Sequence, residues 1–261
     1  MKFAFSTLGV PGLPVSDVLG LATTAGYQGV ELRAHPEEPV HPGIGPRERA
    51  AVADEFKRAG VEILGIAGYA RVADPAADDE ALRAELEGLL RLAADLGAPF
   101  VRVFPGGEDA AEPSEADAAA ARRLGAAAEV AADLGVRILL ETHDSHRTGA
   151  AAARVVGPVG HPQVGVLWDL MHTWLGGESP TVTHAALGPY LGYVQVKDIA
   201  SADDTTPLAL GAGVLPLAEC LSLLADDAWV CWEYEKRWYP AAAALPPQLR
   251  AGREYLASLR A

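Results

Sequence analysis

The chain of 261 residues has little sulfur and no long apolar run: it contains only two cysteines, Cys220 and Cys231. Two cysteines are too few for a disulfide framework, so we interpret both as small buried residues and expect a reducing, cytoplasmic compartment. No stretch reaches the roughly 18 to 20 continuous apolar residues of a transmembrane helix, and Pro11 and Pro14 interrupt the first apolar run before a signal-peptide core forms. We therefore expect a soluble protein with no membrane partner.

Positive charge is also scarce. The chain has 21 Lys and Arg residues against 35 Asp and Glu residues, a net charge of −14, and no basic cluster. Such a chain repels a phosphate backbone, which argues against nucleic-acid binding and favours small or metal-neutralised substrates. Half of the residues are apolar and 21% are charged, as in a globular enzyme. At this length we expect one domain over residues 1–261.

Short β-branched or aromatic runs alternate with longer Ala-rich and Leu-rich segments, a pattern that predicts βα units. The predicted strands are 2–7, 29–33, 61–67, 99–104, 137–142, 164–169, 191–197 and 228–234. The predicted helices are 15–26, 46–59, 78–96, 114–134, 148–157, 179–188, 214–226 and 245–258. Eight units over 261 residues approach the roughly 250 residues of a closed barrel, so we predict the α/β class and a single (β/α)8 TIM barrel.

Glycines mark the ends of several predicted helices. Gly26, Gly60, Gly97 and Gly135 each follow a helix and precede a strand, where a left-handed residue would close the last turn. The segments after the predicted strands are longer than those before them; they are 34–45, 68–77, 105–113 and 198–213. Long loops at the carboxyl ends of barrel strands build a pocket, so this inequality predicts the functional face.

Four predicted strands end on residues that bind metals: Glu141, Asp169, Gln195 and Glu233. Because parallel strands of a barrel end on one face, these residues can meet around one ion. Three carboxylates brought together would raise the pKa of at least one of them unless a cation were present. All four side chains offer oxygen, so we predict one divalent ion, Mg2+ or Mn2+ in preference to Co2+ or Zn2+. Glu235 faces the same way as Glu233 and remains an alternative ligand.

The order of these motifs resembles a known family. ETH is followed by WDLMH, then VQVKD, then a G-x-G, and then WEYEKRWYP. Over nearly the whole chain this order is similar to the xylose isomerase-like barrel proteins, a group of sugar phosphate isomerases and epimerases. The resemblance implies that Glu141, Asp169, Gln195 and Glu233 hold the metal. The family commonly has His in H-x-K-D where this chain has Gln195, a departure that leaves an oxygen ligand.

The resemblance implies a metal-dependent ketose isomerase or epimerase acting on a small sugar or polyol. A cation that polarises a substrate carbonyl eases removal of the adjacent proton and stabilises the enediolate. Glu141 and Glu233 would be catalytic, taking the proton from one face of the carbon and returning it to the other. Further residues are expected to bind substrate: His143, His172, Lys197 and Trp238. Lys197 binds an oxyanion or pairs with an acid, and Trp238 lines the pocket or packs at the rim.

Other functions are left open. The same site would suit a metal-dependent dehydratase of a polyol or keto acid, and the missing histidine suggests a non-catalytic sugar-binding protein as a further alternative. A DNA-repair endonuclease of this barrel type would bind three zinc ions through many histidines, whereas the second and third strands end without one. Barrels of this group often pair, so a homodimer is also open. Glu31 and Arg33, at the end of the second strand, reach substrate or pair with each other, and we expect the pairing.

Overall fold

The computed structural model describes residues 1–107 and 113–260 and contains a closed barrel of eight parallel strands in chain order. The strands are β1 Lys2–Ser6, β2 Gly29–Arg33, β3 Glu62–Arg71, β4 Phe100–Phe104, β5 Arg137–Glu141, β6 Val164–Asp169, β7 Leu191–Val196 and β8 Trp229–Trp232. β1 pairs with β8 and closes the barrel. The predicted (β/α)8 fold is therefore confirmed. Within the predicted loop 105–113, residues 108–112 lie outside the described residues.

Helices surround the barrel. They are α1 Val15–Ala25, α2 Pro46–Ala59, α3 Asp79–Leu96, α4 Pro113–Asp133, α5 Gly149–Val159, α6 Leu170–Leu175, α7 Pro180–Leu187, α8 Leu217–Ser222 and α9 Leu249–Ser258. The four predicted helix-stop glycines, at 26, 60, 97 and 135, all have φ between 66° and 81°. A residue with a Cβ is strained in this left-handed region, which explains why glycine follows each helix. Among the described residues, no helix is both long and apolar enough to cross a bilayer.

Among the larger differences from the prediction are two element boundaries and one helix that was not predicted. β3 continues to Arg71 rather than ending at residue 67, with an irregular register against β4 between Ala67 and Arg71. α8 has only six residues, whereas a helix over 214–226 was predicted. The short helix α6 was not predicted at all, because a six-residue helix carries no clear periodicity. Its first turn is capped by Asp169, whose Oδ1 accepts hydrogen bonds from the backbone N–H of Met171 at 2.8 Å and His172 at 3.2 Å.

The barrel interior has an apolar floor. It is formed by inward-facing side chains from six strands: Ala4, Leu64, Leu139, Leu167, Tyr193 and Cys231. The larger core lies between the outer face of the strands and the helices, and Cys220 is buried in it. Both cysteines are free and buried, as the sequence predicted. Because side chains alternate along a strand, the next inward position of each strand lies one layer above this floor, toward the carboxyl ends.

Asp198 organises the loop that follows β7. Its Oδ2 accepts hydrogen bonds from the backbone N–H of Gly211 and Gly213, both at 2.9 Å. Its Oδ1 accepts from Ile199 at 3.1 Å and Leu215 at 3.2 Å. A Cβ on Gly213 would lie 2.2 Å from the carbonyl oxygen of Ile199, so only glycine fits there. This buried carboxylate thereby fixes the wall of the barrel mouth beside β7.

Candidate metal centre and active site

The four predicted metal ligands lie together above the apolar floor. Glu141 and Asp169 are the last residues of β5 and β6, Gln195 is the penultimate residue of β7, and Glu233 directly follows β8. All four side chains are buried. Asp169 lies opposite Gln195 in the strand register, and the Gln195 amide Nε2 donates to Glu233 Oε1 at 3.0 Å. The four residues span 93 sequence positions, from Glu141 to Glu233, and the fold brings them together at one end of the barrel.

Three of these four residues present an oxygen suited to a cation. Glu141 Oε2 lies 3.2 Å from Arg102 Nε and Asp169 Oδ2 lies 2.8 Å from Lys197 Nζ. Gln195 Oε1 is buried and accepts no hydrogen bond from any described residue. A buried polar atom without a hydrogen bond is costly, so Gln195 Oε1 calls for a partner, and the buried carboxylates beside it favour a further positive charge. An oxygen-only set of this kind matches the preference of hard divalent ions. The residues present therefore fit the metal that the resemblance implies.

Lys197 lies among the same carboxylates. Its Nζ is 2.8 Å from Asp169 Oδ2 and 2.6 Å from Glu235 Oε1, and it donates a short hydrogen bond to Glu233 Oε2. Burial alone would lower the pKa of Lys197, but the three carboxylates outweigh burial and raise the pKa well above its ordinary value. Lys197 therefore carries a proton and is paired with acids, the second of the two roles considered for it.

Glu233 and Glu235 are distinguished by depth. Glu233 is 4% exposed and contacts both Gln195 and Lys197, whereas Glu235 lies further out and contacts Lys197. The Glu235 side chain is 15% exposed. Because Glu233 lies next to Gln195, it is the better placed of the two acids to complete the set of ligands.

Two charged residues inside the barrel were not predicted as part of the site. Glu31, from β2, accepts hydrogen bonds from the Tyr193 hydroxyl and from Gln195 Nε2 at 2.9 and 3.1 Å. Arg102, from β4, has its Nε 3.2 Å from Glu141 Oε2. Both side chains are buried. Their signal in the sequence is a charged residue at an inward position of a buried strand, Glu31 in GVELR and Arg102 in FVRVF.

The expected pair between Glu31 and Arg33 is wrong. Arg33 instead binds Glu38 Oε1 through Nη1 at 2.6 Å and donates from Nε to the Tyr69 hydroxyl at 2.6 Å. The two residues share a face of β2 but lie in successive layers, so the long guanidinium extends outward to the loop while Glu31 stays below.

Arg102 has unused hydrogen-bonding capacity. Its Nε and Nη1 donate no hydrogen bond to any described residue. The guanidinium carbon is 3.9 Å from the centre of the Phe104 ring and 5.6 Å from that of Tyr69. Burial would lower the pKa of Arg102, but Glu141, Glu233 and Glu31 raise it. Arg102 is thus a permanent, buried cation held between aromatic rings with donors to spare.

Crowded carboxylates alter their own ionisation. Burial raises the pKa of Glu141 to about 8, with Arg102 and His143 opposing the shift and Glu233 and Asp169 adding to it. Burial likewise raises the pKa of Glu31, with repulsion from Glu233 the next cause. Burial is thus the main cause of both shifts and neighbouring carboxylates add to it; a divalent ion bound beside these acids would favour their charged forms.

His143 and His172 lie against each other beside Glu141. Their ring centres are 3.9 Å apart, and His143 Nδ1 is 2.7 Å from Asp144 Oδ1. Burial would lower the pKa of His143, but the hydrogen bond with Asp144 and the charge of Glu141 raise it. Burial, aided by His143 and Lys197, lowers the pKa of His172 well below its ordinary value. Of the two rings, His143 is therefore the one that is protonated more readily.

Glu141, His143 and His172 also form a group with metal-ligand spacing. One ligand atom from each residue lies within 4.8 Å of the others. This set shares Glu141 with the oxygen-rich set but offers two nitrogens, which borderline metals such as Zn2+ accept more readily than Mg2+ does. Trp238 lies apart, 52% exposed at the rim, with the guanidinium carbons of Arg33 and Arg237 each 5.7 Å from the centre of its ring.

Comparisons with known proteins agree with this fold. The family model described as xylose isomerase-like TIM barrel matches residues 19–259. A 3-dehydroshikimate dehydratase of Bacillus anthracis is 26% identical over 209 residues, covering 78% of this chain and 74% of that protein.

Solved structures share the fold over almost the whole chain. The probable 3-DHS dehydratase AsbF of Bacillus anthracis has a TM-score of 0.84 at 21% identity, covering 98% of this chain and 99% of that one. D-psicose 3-epimerase of Clostridium cellulolyticum H10, solved with D-tagatose, has a TM-score of 0.84 at 16% identity and 99% coverage of both chains. The IOLI protein with a bound zinc atom has a TM-score of 0.84 at 18% identity, covering 99% of this chain and 98% of that one.

Proposed function

This chain belongs to the xylose isomerase-like TIM barrel family, and from that premise we propose that it is a metal-dependent dehydratase of a cyclic hydroxylated keto acid resembling 3-dehydroshikimate. The observation that carries the choice of substrate is Arg102, a buried guanidinium whose Nη1 donates no hydrogen bond to any described residue and whose Nε lies 3.2 Å from Glu141 Oε2. The 3-dehydroshikimate dehydratase similar to this chain supports the same reaction class.

The metal would be held by Glu141, Asp169, Gln195 and Glu233. Their buried oxygens and their position at the barrel mouth support this assignment. A divalent ion bound there would supply a Lewis acid that polarises the substrate carbonyl. The all-oxygen donor set favours Mn2+ or Mg2+, while the adjoining histidines leave Zn2+ and Co2+ as alternatives.

Arg102 would bind the carboxylate of the substrate. A guanidinium presents its donors as a planar fork that matches a carboxylate, and hydrogen bonds of this charged kind are the strong ones. Arg102 lies beside Glu141, and its ring contacts with Phe104 and Tyr69 restrict its orientation. A neutral ketose has no anionic group for this fork. A keto acid does, and its ring would then be oriented toward Glu141 and the two histidines.

Dehydration requires a base to take a proton from carbon and an acid to protonate the departing hydroxyl. Glu141, His143 and His172 provide both within one cluster, because their ligand atoms lie within 4.8 Å of one another. We assign C–H proton abstraction to Glu141 and protonation of the hydroxyl, which leaves as water, to the histidine pair. Asp144 holds His143 in orientation through Nδ1, so that Nε2 faces away from Asp144.

A direct assay tests this proposal. Protein stripped with EDTA and reloaded with Mn2+ is incubated with 3-dehydroshikimate, and the appearance of an aromatic product is followed by ultraviolet absorbance. We expect turnover that needs the metal and that is lost in the Glu141→Gln variant. Metal-loaded protein that binds Mn2+ but releases no water from this keto acid would refute the dehydratase proposal.

An epimerase is the second candidate. Glu141 and Glu233 enter the mouth from β5 and β8, three strands apart around the barrel, which allows one acid on either face of a substrate carbon. In that case Glu141 and Glu233 would exchange protons with a ketose carbon. Incubation of the Mn2+-loaded protein with D-psicose, D-tagatose and D-fructose in D2O distinguishes the two. Deuterium gained at carbon without loss of water indicates epimerisation.

A further inference from the structure

Lys197 contacts two of the residues assigned to the metal. Its Nζ is 2.8 Å from Asp169 Oδ2 and donates a hydrogen bond to Glu233 Oε2. Asp169 has no second free oxygen, because its Oδ1 caps α6 by accepting from the N–H groups of Met171 and His172. The ammonium therefore occupies the one oxygen of Asp169 that a metal could use.

We propose that Lys197 and the divalent ion exclude each other at Asp169 and Glu233, and that Glu235 receives the ammonium when the ion binds. This inference rests on the metal centre of the proposed function. An ion bound to Asp169 Oδ2 would lie within about 5 Å of an ammonium that is 2.8 Å from the same oxygen, so the two cations would repel each other strongly. Binding of the ion then requires the ammonium to withdraw.

Glu235 makes that withdrawal feasible. Its Oε1 is already 2.6 Å from Lys197 Nζ, and its side chain is more exposed than that of Glu233, 15% against 5%. Glu233 and Glu235 are two residues apart at the end of β8, so they point the same way in successive layers. The four-carbon stem of lysine is flexible, so the ammonium can move outward along β8 without losing every partner.

Without Glu235, a displaced ammonium would be a buried charge with no paired carboxylate, an arrangement that costs far more than a surface charge. Glu235 is therefore a positioning residue: it touches neither the ion nor the substrate, but it sets the cost of binding the ion. This assigns a role to the second acid of the WEYE motif, which the ligand set leaves unused. The arrangement also keeps the acids neutralised before the ion arrives.

A double-mutant cycle tests the inference. Mn2+ is titrated into EDTA-stripped protein by isothermal calorimetry for the wild type, Lys197→Met, Glu235→Gln and the double variant. We expect Lys197→Met to bind Mn2+ more than about tenfold tighter and Glu235→Gln more than about tenfold weaker. In the double variant we expect the affinity of Lys197→Met alone, because no ammonium remains to be displaced. Glu37→Gln removes an exposed rim carboxylate that pairs with Arg237 and serves as the charge control, with an expected change below about twofold.

Each result of the Mn2+ titrations either supports or overturns the exclusion of the ion by Lys197. If Glu235→Gln weakens Mn2+ binding equally in the wild type and in Lys197→Met, long-range attraction alone explains the effect and the inference is overturned. An unchanged Mn2+ affinity in Lys197→Met also overturns it. If Lys197→Met does not fold without metal, Glu235→Gln decides, since unchanged Mn2+ affinity there also overturns it. Failure of the wild type and all variants to bind Mn2+ refutes the metal centre itself, whereas normal binding with additive effects refutes only the exclusion by Lys197.

Discussion

Replacing Gln195 by Glu should destabilise the metal-free protein strongly while leaving the shape of the side chain almost unchanged. The amide Nε2 of Gln195 donates to Glu31 at 2.9 and 3.1 Å and to Glu233 at 3.0 Å. It thus separates two buried carboxylates with the only two N–H groups that it has. The variant places a third carboxyl group between them.

The magnitude follows from those contacts. Each hydrogen bond to a charged group contributes about 1.5 to 3 kcal/mol, so losing both costs about 3 to 6 kcal/mol before repulsion is counted. Repulsion raises the pKa of the new carboxyl group in the folded state above its unfolded value. The repulsive part of the penalty is therefore absent at acidic pH, where the group is protonated in both states, and it grows as the pH rises above about 4.3. Against a typical total stability of about 5 to 15 kcal/mol, the effect is large.

The assay is urea unfolding in EDTA across a range of pH, with Gln195→Met as the control that loses the hydrogen bonds without adding charge. We expect the order wild type, Gln195→Met, Gln195→Glu at neutral pH, and convergence of the two variants at acidic pH. Added Mn2+ should restore Gln195→Glu most, because binding to the folded state alone stabilises it. Equal stability of Gln195→Glu and wild type in EDTA would refute the contacts assigned to Gln195.

Further predictions concern other parts of the structure. Asp198→Asn should lower the free energy of unfolding by about 2 to 6 kcal/mol in urea titrations, because the new amide group faces backbone N–H donors; an unchanged midpoint would contradict this. Burial lowers the pKa of His146 below 6.5, so the wild type should lose stability as the pH falls below that value, whereas His146→Gln should lose less over the same range. Parallel stability curves would argue against this role for His146. Arg102→Lys keeps the charge but loses the fork, so kcat/KM for the keto acid should fall about ten- to hundredfold in steady-state assays. An unchanged value would remove Arg102 from substrate binding.

The fold was largely predictable because its determinants are local. Alternating strand and helix patterns and the glycines at 26, 60, 97 and 135 identify the eight units and their ends. The exceptions have physical causes. α6 is too short for a periodic pattern. It begins at the residue after Asp169, whose carboxylate caps it, and the sequence alone does not show that this carboxylate caps a helix. β3 extends to Arg71 through an irregular register that propensity does not encode.

The site was predictable where it depends on strand ends and unpredictable where it depends on pairing across the barrel. Glu141, Asp169, Gln195 and Glu233 follow from convergence of the strand ends. Glu31 accepts hydrogen bonds from residues on β7, more than 160 positions away, and no local pattern shows such a partner. The same reason explains the wrong pair with Arg33, whose actual partners are Glu38 in the loop after β2 and Tyr69 on β3.

The central claim is that one divalent ion lies among four oxygen ligands at the mouth of the barrel. Anomalous diffraction from crystals grown with Mn2+ tests it directly. We predict a single anomalous peak about 2.0 to 2.6 Å from oxygen atoms of Glu141, Asp169, Gln195 and Glu233. A peak bound instead to His143 and His172, or no peak at saturating Mn2+, would contradict the claim.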